Sequence, residues 1–322
     1  MTPFDLGESM TDSPGAWPVV LTPFTDADAV DLAALDRYVD WLLAHDAAGL
    51  FAVALSGEMY ELSPSERITV AARVAARVAG RVPVAATAVG DADIPSATPH
   101  ASTTASLIDD ARALATAGAD IVVLIAATLA GDGEPEVTAV QRALAVADAL
   151  PGVAFGIYEC PLPYHRVLSD EAVAVLAGSG RFRFFKETSH DVERMSRRVS
   201  DAAGTPLRVY NAGIENYAES LQVGVAGLSG WVVNVAPDLV ARLGRLATAE
   251  GLSARVLGLQ AALVDVEARM GPTYPASAKA LVERRAGLGW TPRSRWRASD
   301  VDAELVAELA NLLDRAATAV DA

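Results

Sequence analysis

Lys186 stands inside the stretch RFRFFKETS (181–189), directly after two phenylalanines. Of the 26 Lys and Arg residues only two are lysines, Lys186 and Lys279, so the chain otherwise takes its positive charge from arginine. A solvated charge would not need lysine at this point. An amine buried in an apolar strand loses hydration, which lowers its pKa and leaves free amine near neutral pH. Such an amine attacks ketones and forms a Schiff base that acts as an electron sink. Arginine stays protonated and cannot form the imine. The competing reading pairs Lys186 with a buried carboxylate such as Glu159 or lets it snorkel to a rim.

A second group lies 28 residues upstream, where Tyr158 opens the run Tyr158-Glu159-Cys160-Pro161. Leu55-Ser56-Gly57-Glu58 closes an apolar run near the start, and Ser229 lies in another near residue 230. The stretch PLPYHR (161–166) adds Tyr164, His165 and Arg166, and His165 is the candidate acid–base group there. The competing reading makes it a solvated loop histidine. His190 and His100 are weaker candidates. No two histidines have metal-ligand spacing, so no metal is expected, and a covalent imine at Lys186 would call for no separate cofactor.

The elements that must position these groups are legible as an alternation. Short apolar runs at 17–24, 49–56, 81–89, 120–127, 152–159, 181–187, 207–213 and 227–234 alternate with amphipathic Ala/Leu/Arg segments. Continuous apolar strands separated by helices mean a parallel sheet covered on both faces. Eight such units predict an α/β fold of the (β/α)8 TIM-barrel type, with chemistry at the strand C-termini. An open dinucleotide-binding sheet would need a glycine-rich turn after the first strand, and LTPFTDAD (21–28) is not one. The organisation expected is a loose leader (1–15), the barrel (16–240) and a C-terminal helical region (241–322). A polar loop, 90–104, should sit at the active-site face. Alternation along 181–187 places Phe184 and Lys186 on one side and Phe185 and Glu187 on the other.

Composition bounds the partners. With 52% hydrophobic and 21% charged residues the chain is globular. A net charge of −15 argues against nucleic acid or an anionic membrane surface as a partner. One cysteine, Cys160, excludes an internal disulfide framework. No apolar run has the ~20 residues of a membrane span, and the N-terminus lacks a signal-peptide layout. The expectation is a soluble cytoplasmic protein with a small-molecule partner.

Five stretches, VVLTPFTDADAVDLAALDRYVDWLL, SGEMYELSPSER, YECP, FFKETS and GLSGWVVNVAPDL, resemble the dihydrodipicolinate synthase/N-acetylneuraminate lyase family in content and order. The resemblance covers roughly residues 17–240, and that family also carries a helical tail. It implies a Schiff-base aldolase or lyase acting on pyruvate or another 2-oxo acid, in a homo-oligomer (dimer or tetramer). By carry-over, Lys186 forms the imine and Tyr158 moves protons at it. Ser56, with the backbone N–H groups around Leu55 and Ser56, holds the carboxylate. Gly57 and Glu58 read as turn geometry and support.

The departures narrow the reaction. The family's Gly-Thr-Thr-Gly-Glu is here Ala54-Leu55-Ser56-Gly57-Glu58, so leucine replaces a relay threonine. Ala127-Thr128-Leu129-Ala130 stands where synthases carry a Pro-Tyr-Tyr segment. Pro163 occupies the place of an arginine, for which Arg166 or His165 are the local substitutes. The polar side chains that sialic acid lyases use for the sugar chain are not evident, since Ile214 and Ser229 lie at those places; Ser229 is a substrate-binding candidate. The expectation is therefore carbon–carbon lyase or dehydration chemistry. The alternatives are an authentic synthase with a rebuilt proton relay, and a barrel that binds a small acid without catalysis.

Overall fold

The computed structural model describes residues 15–91, 101–297 and 300–321. Nearly all of the leader, His100 and most of the loop 90–104 lie outside the described residues. Eight parallel strands form one sheet: β1 (Gly15–Ala16), β2 (Leu50–Val53), β3 (Val84–Ala88), β4 (Ile121–Ile125), β5 (Ala154–Tyr158), β6 (Phe182–Glu187), β7 (Arg208–Asn211) and β8 (Gly227–Leu228). They run in the order β1-β8-β7-β6-β5-β4-β3-β2. Isolated parallel bridges, Ala16 to Ala47 and Val19 to Phe51, close the seam between the first two strands. This is the (β/α)8 barrel.

Two strands depart most from their apolar runs: β1 lies just before 17–24 rather than within it, and β8 keeps only the first two residues of 227–234. Residues 17–24 contain Pro18 and Pro23, which have no N–H to give a ladder. That segment still pairs with β2, because Phe51 N–H donates to Pro18 O at 2.9 Å and Val20 N–H to Phe51 O at 3.0 Å. At the other end, β8 gives way to a 3₁₀ turn, Val232–Asn234. Gly230 permits that change of direction, since a Cβ there would lie 2.5 Å from Ala212 O.

Helices α1 (Leu32–Ala44), α2 (Pro64–Val78), α3 (Thr104–Thr116), α4 (Glu136–Ala149), α5 (Asp170–Gly178), α6 (Val192–Asp201), α7 (Tyr217–Gln222) and α8 (Pro237–Glu250) follow the eight strands. Their starts are written in side chains. Asp31, Thr103, Ser169 and Asp191 cap α1, α3, α5 and α6, and Ser63 with Glu66 forms a capping box on α2. Three further helices, α9 (Ala254–Met270), α10 (Ala276–Ala286) and α11 (Ala303–Asp321), form the C-terminal extension. Among the described residues, no helix is long and apolar enough to cross a membrane.

An aromatic plug fills the barrel. Phe184 lies 4.9 Å from Trp17, 5.6 Å from Phe51 and 4.7 Å from Tyr210, centroid to centroid. Side chains alternate along β6 as the sequence predicts: Phe184 and Lys186 face this interior, while Phe185 and Glu187 meet Arg198 of α6 outside it.

Candidate active site

The register between β5 and β6 sets Tyr158 directly beside Lys186. Lys186 is only 4% exposed. Its Nζ lies 4.6 Å from the centre of the Tyr158 ring and 5.9 Å from that of Phe51. Among the described residues no carboxylate forms an ion pair with it, although Cys160 and Glu267 act on it electrostatically. Burial therefore prevails and lowers the amine's pKa to about 8.

The competing partner for Lys186, Glu159, is committed elsewhere. Arg198, Glu159 and Glu187 are all fully buried; Arg198 bridges to Glu187 at 2.6 Å and to Glu159 at 3.1 Å. Leu168 N–H and Thr188 N–H also donate to Glu159, at 2.8 and 3.0 Å. The cluster locks α6 to β5 and β6 on the outer face of the barrel. It leaves the inner lysine unpaired.

Tyr158 keeps its proton, because burial raises its pKa well above the ordinary phenol value. Its hydroxyl interacts with the Cys160 thiol, which also meets Tyr60 Oη at 4.0 Å. Burial pushes that thiol up to about 11. Tyr60 donates onward to Leu162 O at 3.1 Å. Leu55 and Leu129, buried and apolar, offer no hydroxyl to this group.

Ser56 sits in the 3₁₀ turn Leu55–Gly57, immediately after β2. Among the described residues, the Leu55 and Ser56 N–H groups have no backbone acceptor, as expected for the first amides of a helical turn. The Ser56 side chain hydrogen-bonds with Tyr274, whose hydroxyl accepts from Asn234 Nδ2 at 2.7 Å. Tyr274 stacks on Trp231 at 4.4 Å. At the end of β8, Ser229 is fully buried, and among the described residues its Oγ has no hydrogen-bond partner.

His165 is exposed on the loop after β5, with Nε2 2.7 Å from Thr188 Oγ1. Thr188 gives its hydroxyl proton to Glu159 O at 2.9 Å, so it accepts from His165. Nε2 then carries the proton and Nδ1 holds the free lone pair. Burial, followed by the charge of His190, lowers the His165 pKa below the ordinary imidazole value. His190 pairs with Glu215, which raises its pKa. Tyr164 donates to Ala130 O, while Arg166 donates to Gly131 O at 2.7 Å and to the Tyr164 hydroxyl at 3.1 Å. Both tie the loop after β5 to the loop after β4.

Sequence reasoning did not find Tyr60, Arg198, Glu267 or Tyr274, and it read Cys160 only as a redox marker. Glu267 comes from α9, accepts from Val232 N–H at 2.7 Å and has its carboxyl pushed up to about 7 by burial. Neither Glu267 nor Tyr274 carries a signal in a stretch that reads as helices alone. The repeated charged residues of α6 hid Arg198 among solvated neighbours. Among the described residues, no group of three His, Cys, Asp or Glu side chains could hold a metal ion.

Fold and site together define a (β/α)8 barrel with an unpaired buried lysine beside a tyrosine at the strand C-termini. Residues 12–314 match the dihydrodipicolinate synthetase family, and the chain belongs to it. An uncharacterized DapA-like lyase of Halobacterium salinarum is 32% identical over 304 residues, covering 92% of this chain and 93% of that one. A 4-hydroxy-tetrahydrodipicolinate synthase of Hyphomonas neptunium is 28% identical, covering 93% and 97%. Among solved structures, a prophage protein of the dihydrodipicolinic acid synthase family from E. coli K12, in complex with pyruvate, superposes with TM-score 0.78 at 21% identity, covering 94% and 98%. The Acinetobacter baumannii synthase complexed with pyruvate gives 0.79 at 21%, covering 95% and 99%.

Proposed function

We propose that the protein is a lyase acting on pyruvate or another 2-oxo acid through a Schiff base at Lys186, making or breaking a carbon–carbon bond or dehydrating the substrate. The observation that carries this reading is the buried, unpaired Nζ 4.6 Å from the Tyr158 ring centre. The free amine adds to the C2 carbonyl, the resulting carbinolamine loses its hydroxyl as water, and an imine remains. Loss of a C3 proton gives an enamine, whose C3 attacks an aldehyde carbonyl; cleavage is the reverse. Tyr158, held protonated, delivers and recovers the proton at the carbinolamine oxygen. The N–H groups of Leu55 and Ser56 hold the substrate carboxylate, and the unpartnered Ser229 hydroxyl meets a polar group farther along the substrate. His165, through its free Nδ1, carries the proton at the more distant oxygen.

One observation favours a second reading, the synthase with a rebuilt relay: the Cys160 thiol lies between Tyr158 and Tyr60. A contact of 4.0 Å to a thiol with a pKa of about 11 makes that route a poor conductor of protons.

Intact mass after borohydride treatment with a panel of 2-oxo acids tests the proposal. A reduced adduct at Lys186 is expected with at least one acid. Folded protein that gains no mass with any of them would reduce the barrel to a non-catalytic binder.

A further inference from the structure

The second lysine, Lys279 of α10, is also buried, and unlike Lys186 it is paired with a carboxylate. Its Nζ donates to Glu58 Oε1 at 2.5 Å and to Arg293 O at 2.6 Å, and lies 4.6 Å from the centre of the Phe24 ring. Glu58 is the residue that closes the Leu55–Gly57 turn, with φ 62° in the left-handed region that non-glycine residues rarely occupy. Its other oxygen, Oε2, accepts from Arg295 N–H at 2.6 Å, Trp296 N–H at 2.9 Å and Ser294 Oγ at 2.9 Å. Arg295 also bridges to Glu66 at 2.9 Å, in the capping box of α2. From the opposite side the turn abuts the chain near β1, where a Cβ on Gly57 would lie 2.7 Å from Val20 O. A buried carboxylate with four donors fixes its own backbone, and here the adjoining backbone carries the N–H groups of Leu55 and Ser56.

We propose that Glu58 and Lys279 are positioning residues for the carboxylate of the bound 2-oxo acid, fixing the Leu55–Gly57 turn from the C-terminal extension. The inference rests on the Schiff-base reading for its ligand and on hydrogen-bond geometry for the clamp. Lysine suits the place because its compact ammonium reaches Glu58 and the Arg293 carbonyl from the single atom Nζ. The C-terminal extension is then part of the substrate site although it contributes no reacting group through this contact.

The test compares Lys279→Met and Ser294→Ala with the unmodified protein in two measurements: amide exchange over the peptide containing residues 54–58, and the pyruvate dependence of borohydride trapping. In Lys279→Met, the half-saturating pyruvate concentration should rise ~10–100-fold, the scale of a misplaced binding group. The limiting trapping rate, set by the Lys186 amine, should fall by much less, under ~3-fold. Exchange in the turn should quicken in both variants, with Ser294→Ala showing the smaller change. A purely structural role would instead lower the melting temperature and leave half-saturation untouched in whatever protein stays folded. Should Lys279→Met not fold, Ser294→Ala decides: unchanged exchange and unchanged half-saturation overturn the proposal. Should the unmodified protein trap no 2-oxo acid, the Schiff-base reading fails, and unchanged turn exchange in both variants is then the result that removes the clamp.

Discussion

Lys186 and Lys279 show how neighbours divide one residue type between two tasks. Both are buried, and burial lowers both pKa values. Lys279 has Glu58 at 2.5 Å to hold its charge, while Lys186 faces aromatic rings. The amine at Lys186, with a pKa of about 8, is protonated and unreactive well below that pH and free above it. Borohydride trapping with pyruvate should therefore rise from pH 6.5 to pH 9 with a midpoint near 8, rather than near the ~10.4 of an ordinary lysine. Lys186→Arg keeps a charge but has no imine chemistry, so adduct formation should vanish while the fold persists. An adduct in that variant would show that the nucleophile lies elsewhere. His165 calls for a different experiment. Its variant His165→Ala should still be trapped, because the proposed imine formation uses Lys186 and Tyr158 and not His165. Turnover of the true substrate should fall by ~10²–10⁴, the usual worth of a general acid–base. The lost acidic limb should lie below ~6.5, since burial and the His190 charge lower the imidazole's pKa. Normal turnover and an unchanged profile would return His165 to the role of a loop residue.

At the scale of elements, the eight βα units were legible because continuous apolar runs and polar-capped helices obey local rules. The placement of Lys186 and Tyr158 was legible for the same reason, since each lies at the end region of a strand whose alternation decides which way it points. The remaining parts of the site depend on contacts across long sequence separations, which local pattern does not carry. Tyr274 meets Ser56 only because α9 and α10 fold back over the strand ends, and Arg198 finds Glu159 only because α6 lies across β5 and β6. That second contact predicts a large effect on stability. Arg198→Met leaves Glu159 and Glu187 buried without their shared cation, which should cost ~3–5 kcal/mol. Denaturant unfolding of the variant measures it, and a loss under ~1 kcal/mol would mean that the Arg198 bridges add little net stability. Element-level replacement also bears on the reaction. Leu55 after β2 and Leu129 after β4 stand where a hydroxyl relay is expected, and both are buried. Activity with pyruvate and aspartate semialdehyde should accordingly stay below ~1 s⁻¹, the low end of ordinary enzymes. Faster turnover would show that Tyr158, Cys160 and Tyr60 do conduct protons.

For the whole molecule, the charge of −15 acts on the 2-oxo acid proposed as substrate. A 2-oxo acid is an anion, and the protein's summed field repels it until it comes within reach of the N–H groups of the Leu55–Gly57 turn. Near Lys186 the acidic groups are muted: Glu215 is paired with His190, and Glu267, which feels the Glu215 charge and acts on Lys186, has its carboxyl pushed up to about 7 by burial. Salt shortens the range of the field from ~30 Å at ~0.01 M to ~8 Å at ~0.15 M, while contacts inside the barrel are screened far less. Raising ionic strength should then lower the half-saturating pyruvate concentration for trapping, by roughly two- to fivefold across that range. The salt should carry a bulky sulfonate anion, because a small anion would compete for the turn and push the value the other way. The limiting trapping rate should stay constant, because the amine and the phenol meet inside the barrel. A half-saturating concentration that rises with a bulky-anion salt would mean that the local field at the mouth is positive. The charged Lys186 and a doubly protonated His190 would then outweigh the distributed acidic surface in capturing the substrate.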